Sequence, residues 1–261
     1  MAKQKHFYLI RGLIREQAHW GRFIQELEKE FPKAKITTFD IPGAGIYHTI
    51  LSPLSIKKIV DHMRQDFHEV KLENESSHLI AISLGGMIAV EWMKRFPQDF
   101  HEATLINTSM GGISPVFHRL LPSALFYLLK VPFLKGRDKE SRILRLVSNH
   151  KNVFDETLDL WEKIQKERPV SLKNTIRQLA AAATYRPGDF IPKLPVFIIA
   201  GSQDRMVDVS CSRTLARKWN VPIVEHPTGG HDLTSDAPAW VAREIKKATA
   251  GSETEAQDIL V

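Results

Sequence analysis

Apolar positions recur along this chain in two alternating rhythms. Residues 6–10, 35–40, 79–83, 103–107, 195–200 and 221–225 form short runs rich in apolar and β-branched side chains, which predicts strands buried in a sheet. Between them the spacing becomes helical. Trp20, Phe23, Ile24, Leu27 and Phe31 fall on one face of a helix that Pro32 stops. Ile56, Ile59, Val60, Met63, Phe67 and Val70 form a second such face, with Ser52-Pro53 read as its cap and first-turn proline. Further helices are expected from Met87 up to Pro97, over 209–219 and over 238–247.

The rhythm changes between 108 and 190. Four helical pieces are expected there, near 117–129, 137–147, 154–165 and 172–184, and no strand. Six strands alternating with helices predict an α/β fold with a mostly parallel, doubly wound sheet. A helical insertion of about 80 residues is too long for an ordinary connection. The expected organisation is a core from 1–107 and 191–248, an inserted helical cap over 108–190, and a polar, flexible tail over 249–261.

Length and composition sharpen this only in places. A chain of 261 residues with 43% hydrophobic content suffices for one large domain. Its single cysteine, Cys211, cannot form an internal disulfide and reads as a small buried residue, which suits a reducing compartment. The apolar run before Arg11 is too short for a signal-peptide core, and no stretch reaches the length of a membrane span, so a soluble cytoplasmic protein is expected. The net charge of +6 is concentrated: 112–190 holds 14 Lys and Arg against 8 Asp and Glu. That excess reads first as a solvated helical surface, and second as attraction for an anionic substrate or a membrane surface. No nucleic-acid recognition motif accompanies it. No histidine and carboxylate cluster has metal-ligand spacing, His62 and Asp66 reading as a solvated helix face, and no phosphate loop or dinucleotide fingerprint precedes a helix. Neither metal nor cofactor is expected.

Chemistry enters at the end of the third strand. The run Ala81-Ile82-Ser83-Leu84-Gly85 joins a strand to a helix through a serine flanked two residues away on each side by a small residue. A serine held at such a sharp turn exposes its hydroxyl, as in a nucleophile elbow. A serine hydroxyl becomes nucleophilic only when a base takes its proton and a third group orients the base. Two later strand ends supply these types. Gly201-Ser202-Gln203-Asp204 follows the fifth strand, and Gly229-Gly230-His231-Asp232 follows the sixth. Both lie at the carboxyl edge, where open α/β sheets place their sites. The spacing from Gly201 favours Asp204 over Asp208 as the acid. Two preceding glycines favour His231 over His226 as the base. Asp232 reads as a surface or capping residue.

From His6 to about Lys247 the chain resembles the α/β-hydrolase family with a helical cap, and within it the small carboxylesterases of the pimeloyl-carrier-protein methyl ester esterase type. Its first strand resembles the one the family counts as third, which implies that the antiparallel hairpin is missing. The Asp40-Ile41-Pro42-Gly43-Ala44-Gly45 loop resembles one common in these enzymes. The resemblance implies Ser83 as nucleophile, His231 as base, Asp204 as acid, and the Leu13 and Leu84 backbone N–H groups as an oxyanion hole. Two positions depart from the pattern. Ala81 replaces a usual glycine, and Arg11 stands before Gly12 where many relatives carry histidine; Arg11 reads as paired with a carboxylate. Gly12, Arg11, His19, Phe117, Leu121 and Phe126 are the candidates for lining the substrate pocket. The implied activity is hydrolysis of a carboxylic ester or thioester of a small molecule, with an acyl or anionic group suggested by the apolar, basic cap. Acyl transfer, lactone opening and carbon–carbon bond hydrolysis use the same triad, and a non-catalytic binding protein can keep the fold.

Overall fold

A computed structural model describes residues 3–150 and 154–258, with side chains up to 250. Six strands form one sheet: β1 (Gln4–Ile10), β2 (Lys35–Phe39), β3 (Glu75–Ile82), β4 (Glu102–Ile106), β5 (Val196–Gly201) and β6 (Ile223–His226). Their order is β2-β1-β3-β4-β5-β6, and every pairing is parallel. The sheet is therefore the expected doubly wound one, and its carboxyl edge collects the ends of β1, β3, β5 and β6.

Helices cover both faces, several through a single apolar stripe and the one after Ser83 buried on nearly all sides. On one face α2 (Ile56–Val70), α3 (Leu84–Arg95) and α9 (Ser210–Trp219) pack on Tyr8, Ile10, Leu79, Leu105 and Ile198. On the other, α1 (Arg22–Glu30), the short α10 (Leu233–Asp236) and α11 (Pro238–Asp258) cover Phe7, Leu9, Ile80, Ile106 and Ile199. This two-sided burial accounts for the near-continuous apolar strands.

Between β4 and β5 lie α4 (Val116–Arg119), α5 (Pro122–Leu128), α6 (Gly136–Val147), α7 (Phe154–Glu167) and α8 (Leu172–Thr184). They carry a core of their own around Leu144, Leu158 and Trp161. Polar ties fix this segment to the sheet edge: Arg15 to Glu140 of α6 at 2.9 Å, and Arg168 to Glu16 at 2.7 Å.

Three boundaries differ from the sequence reading. The helix expected over 117–129 is broken after Arg119, because Leu121 precedes Pro122 and takes extended angles (φ −59°, ψ 137°). Helix α2 starts at Ile56, flanked by extended Ser55, and not at Ser52-Pro53. Ser52 is instead buried, its N–H donating to Asn174 Oδ1 and its carbonyl accepting from Arg177 of α8. Helix α11 continues past Lys247 to Asp258, since no proline interrupts its hydrogen bonds. Residues 259–261 of the expected tail lie outside the described residues.

Candidate active site

Ser83 stands between β3 and α3 with φ 57° and ψ −118°, a conformation costly for a residue with a Cβ. The surrounding structure holds it there. Its N–H donates to the Ile106 carbonyl at 2.9 Å, and its own carbonyl accepts from Thr108 Oγ1 at 2.8 Å. Gly85 lies so close to β1 that a Cβ would sit 2.4 Å from the Ile10 carbonyl oxygen. That contact is the reason the elbow needs a glycine there. At Ala81 the alanine methyl is buried in the core.

The loops after β5 and β6 bring the other two groups to the serine. His231 Nε2 lies 2.9 Å from Ser83 Oγ, and His231 Nδ1 lies 2.6 Å from Asp204 Oδ2. Asp204 is fixed in turn through Oδ1, which accepts the Met206 and Val207 N–H groups at 2.8 and 2.9 Å. Asp208 serves elsewhere, accepting the Ser210 N–H at the start of α9. His226 packs on Trp240, away from the serine. Burial of His231 disfavours its charged form. The adjoining Asp204 carboxylate more than offsets this through charge and hydrogen bond, and the imidazole pKa ends above its ordinary 6.5.

Gly12 faces the serine directly, since a Cβ on it would lie 3.6 Å from Ser83 Oγ. After it the chain makes a strained turn in which Ile14 has φ 54°, unusual for a β-branched residue. Gln178 of α8 holds this turn, accepting the Ile14 N–H at 2.9 Å. Among the described hydrogen bonds neither the Leu13 nor the Leu84 N–H has an acceptor. Leu84 opens α3, so its amide has no partner within the helix.

A cavity of about 410 Å³ opens above Ser83 and His231. Its floor includes Arg11 and Gly12, and its walls are apolar, among them Leu13, Ile14, Leu146, Val147 and Met206. The two arginines in it are paired. Arg11 forms a buried ion pair with Asp232 at 2.5 Å and also donates to Thr234 Oγ1, and Arg15 pairs with Glu140. The carboxylate partner expected for Arg11 is thus Asp232; of the two readings for that residue, it is buried and not at the surface, and it stands at the N-cap of α10.

Four of the pocket candidates do not line this cavity. His19 is buried against Trp161, where its Nδ1 accepts the Glu16 N–H; burial and the nearby Arg15 and Arg11 charges keep it neutral. Leu121 packs into the core of the helical segment, its N–H on the Met206 carbonyl. Phe117 and Phe126 point outward from α4 and α5 into solvent. Apolar residues in short helices look alike in sequence whichever way they face. The inner wall is formed instead by residues such as Leu146 and Val147 of α6.

Two positioning groups escaped the sequence reading. Asn107, at the end of β4 with φ 45°, donates to the Gly230 and His231 carbonyls and accepts the Gly201 N–H. It joins the loops that carry Asp204 and His231. Asp236 accepts the Gly230 N–H at 2.7 Å and the Ser148 hydroxyl, tying the histidine loop to the end of α6. A strand-end asparagine tolerant of positive φ was the available signal for the first. Asp236 beside a helix start looks like any capping residue.

Fold and site together define an α/β hydrolase. Residues 8–244 match the alpha/beta hydrolase family, and the chain belongs to it. It is 23% identical over 251 residues to monoacylglycerol lipase ABHD6 of Mus musculus, covering 91% of this chain and 73% of that protein. Among solved structures, a bacterial membrane phospholipase A superposes with TM-score 0.77 at 18% identity, covering 95% of this chain and 79% of the other. A 2-hydroxy-6-oxo-6-phenylhexa-2,4-dienoate hydrolase from Rhodococcus sp. strain RHA1 gives 0.73 at 17% identity, covering 95% and 91%. These structural likenesses establish the fold. Among the described residues no cluster of side chains could hold a metal ion, and no helix is long and apolar enough to cross a membrane.

Proposed function

We propose that this chain is a serine esterase that cleaves esters of apolar carboxylic acids through an acyl-enzyme. The observation that carries the reading is the hydrogen-bonded series Ser83, His231, Asp204 on the floor of an apolar cavity. Ser83 Oγ attacks the acyl carbonyl as its proton passes to His231 Nε2. Asp204 holds His231 with its proton on Nδ1 and stabilises the imidazolium. The Leu13 and Leu84 N–H groups receive the oxyanion, each worth about 3 kcal/mol in the transition state. The alcohol leaves with the proton from His231. Water, activated by the same imidazole, then releases the acid and restores Ser83.

The helical segment 108–190 acts as a cap over the core of 1–107 and 191–248. Both arginines at the cavity are already paired, so the acyl group it takes is neutral. The family likeness to a lipase of monoacylglycerol agrees with an acyl ester over a thioester. The single cysteine, Cys211, is buried and unpaired, which fits a reducing compartment such as the cytoplasm.

A fluorophosphonate probe should label the protein at Ser83, mapped by peptide mass, and should not label Ser83→Ala. Folded, unlabelled wild type would end the proposal. With a series of 4-nitrophenyl esters, kcat/KM should rise by up to about fourfold per added methylene until the cavity is full. A flat or falling series would remove the acyl assignment.

The pH profile gives an independent check. The base must be neutral, so kcat/KM falls as pH drops through the free-enzyme pKa of His231. Because that pKa is raised, the acidic limb should lie above pH 6.5. A limb centred below 6.5 would mean that Asp204 does not face the base in solution.

A further inference from the structure

The outer surface of the helical segment is unusual in its apolar exposure. Phe133 is 86% exposed, Val116 75% and Phe126 72%, with Leu125 and Leu129 beside them. Isolated exposed apolar residues need no explanation, but a cluster of this kind marks an interaction site. Two further observations say what covers it.

The first is position. Leu172, Ile176 and Leu179 of α8 are exposed and also line the cavity above Ser83. Leu128, Val131 and Pro132, which alternate in sequence with the exposed residues of α5 and the turn after it, line it too. The apolar surface therefore continues through the mouth of the cavity to its interior.

The second is charge. From 116 to 135 the chain has no Asp or Glu, and from 170 to 186 it again has none. The same two stretches carry the exposed Lys130, Lys135 and Lys173. Acidic residues of the segment gather instead on α6 and α7, where Arg137 pairs with Asp159 and Glu162. Within these two stretches the exposed apolar residues are thus accompanied by cations only, the first acidic residue after the former being Asp138 in α6. A second copy of the chain would meet this face with the same charge, whereas an anionic bilayer offers both the apolar interior and the opposite sign.

We infer that this face docks on an anionic lipid surface, with the cavity mouth turned to the bilayer, so that the acyl ester enters Ser83's cavity from the membrane. The route for substrate rests on the esterase reading, but docking itself does not. Phe133 and its neighbours insert into the headgroup and acyl boundary, and Lys130, Lys135 and Lys173 meet the lipid phosphates.

The test uses full-length Ser83→Ala protein, which separates binding from turnover. It is sedimented with vesicles of phosphatidylcholine alone, or with added phosphatidylglycerol, at low and high salt. Binding is expected on the anionic vesicles at low salt, and it should weaken at high salt. Phe133→Asp and Lys135→Glu should each weaken it by about tenfold. Wild type carrying either change should hydrolyse a water-soluble short ester as before, since neither residue lies at the cavity. Failure to sediment with either vesicle, or sedimentation that neither variant alters, would overturn the docking assignment. So would a dimer in gel filtration that Phe133→Asp converts to monomer, or capture of an acidic protein with no affinity for lipid. Loss of fluorophosphonate labelling alongside intact vesicle binding would remove the esterase reading and leave docking standing.

Discussion

Asp204→Asn is expected to lower kcat by about 10⁴-fold while leaving the protein folded. The reason lies in which nitrogen of His231 carries the proton. With a carboxylate at 2.6 Å, Nδ1 must donate, and Nε2 is left free to accept from Ser83 Oγ at 2.9 Å. An asparagine can keep its carbonyl on the Met206 and Val207 amides, because those two N–H groups are fixed by the loop. Its NH₂ then faces Nδ1. The imidazole must turn its lone pair to that group and put its proton on Nε2, where it can no longer take one from Ser83. The Asp204 charge that raises the imidazole pKa is lost as well, leaving burial and the Arg11 charge opposed only by Asp232. The residual activity should therefore show its acidic limb shifted to lower pH than in wild type. An unaltered rate in Asp204→Asn would assign the acid to another residue. An unchanged melting temperature would show that the loss lies in chemistry.

Much of this site was legible because each part answers to a local rule. Strand and helix rhythms separate cleanly in this chain, so the sheet, its helices and the interrupting segment could be read from the spacing of residues such as Phe23, Leu27 and Phe31. Ser83 was legible from the strand, the turn and the small neighbours around it. Asp204 and His231 were legible because a parallel sheet puts successive strand ends on one edge. What could not be read depends on direction and on distance in sequence. Whether Phe126 or Leu146 faces the cavity is decided by the break at Leu121 and by packing against Trp161, not by periodicity. The same limit hid the partner of Arg11, since Asp232 is 221 residues away. It also hid Asn107, whose amide joins two loops from a third strand.

Asp232→Ala is expected to destabilise the fold by about 3–5 kcal/mol, because it leaves a buried guanidinium without its counter-charge. Arg11 and Asp232 are both nearly inaccessible, with side chains 3% and 5% exposed. Arg11 reaches Asp232 through both terminal nitrogens, at 3.2 and 2.5 Å, and Thr234 donates to the same carboxylate. Burial alone would raise the Asp232 pKa, but the Arg11 charge and these hydrogen bonds hold it below its ordinary 3.8. A carboxylate with a depressed folded pKa contributes stability above the unfolded pKa and loses it as pH falls through the folded one. The Asp232 contribution should thus be complete at neutral pH and vanish only in strong acid. Removing both charges is a different matter, since apolar replacements of similar size leave no buried charge unpaired, only the Thr234 hydroxyl. Arg11→Met combined with Asp232→Leu should recover most of the stability lost by Asp232→Ala, read by urea unfolding at pH 7. A double variant as unstable as the single would show that the cost comes from lost packing. Because Arg11 precedes Gly12 and Asp232 follows His231, the pair also ties the turn at Gly12 to the His231 loop. The recovered double variant should therefore regain its fold but not its full kcat, and regaining both would assign the pair to stability alone.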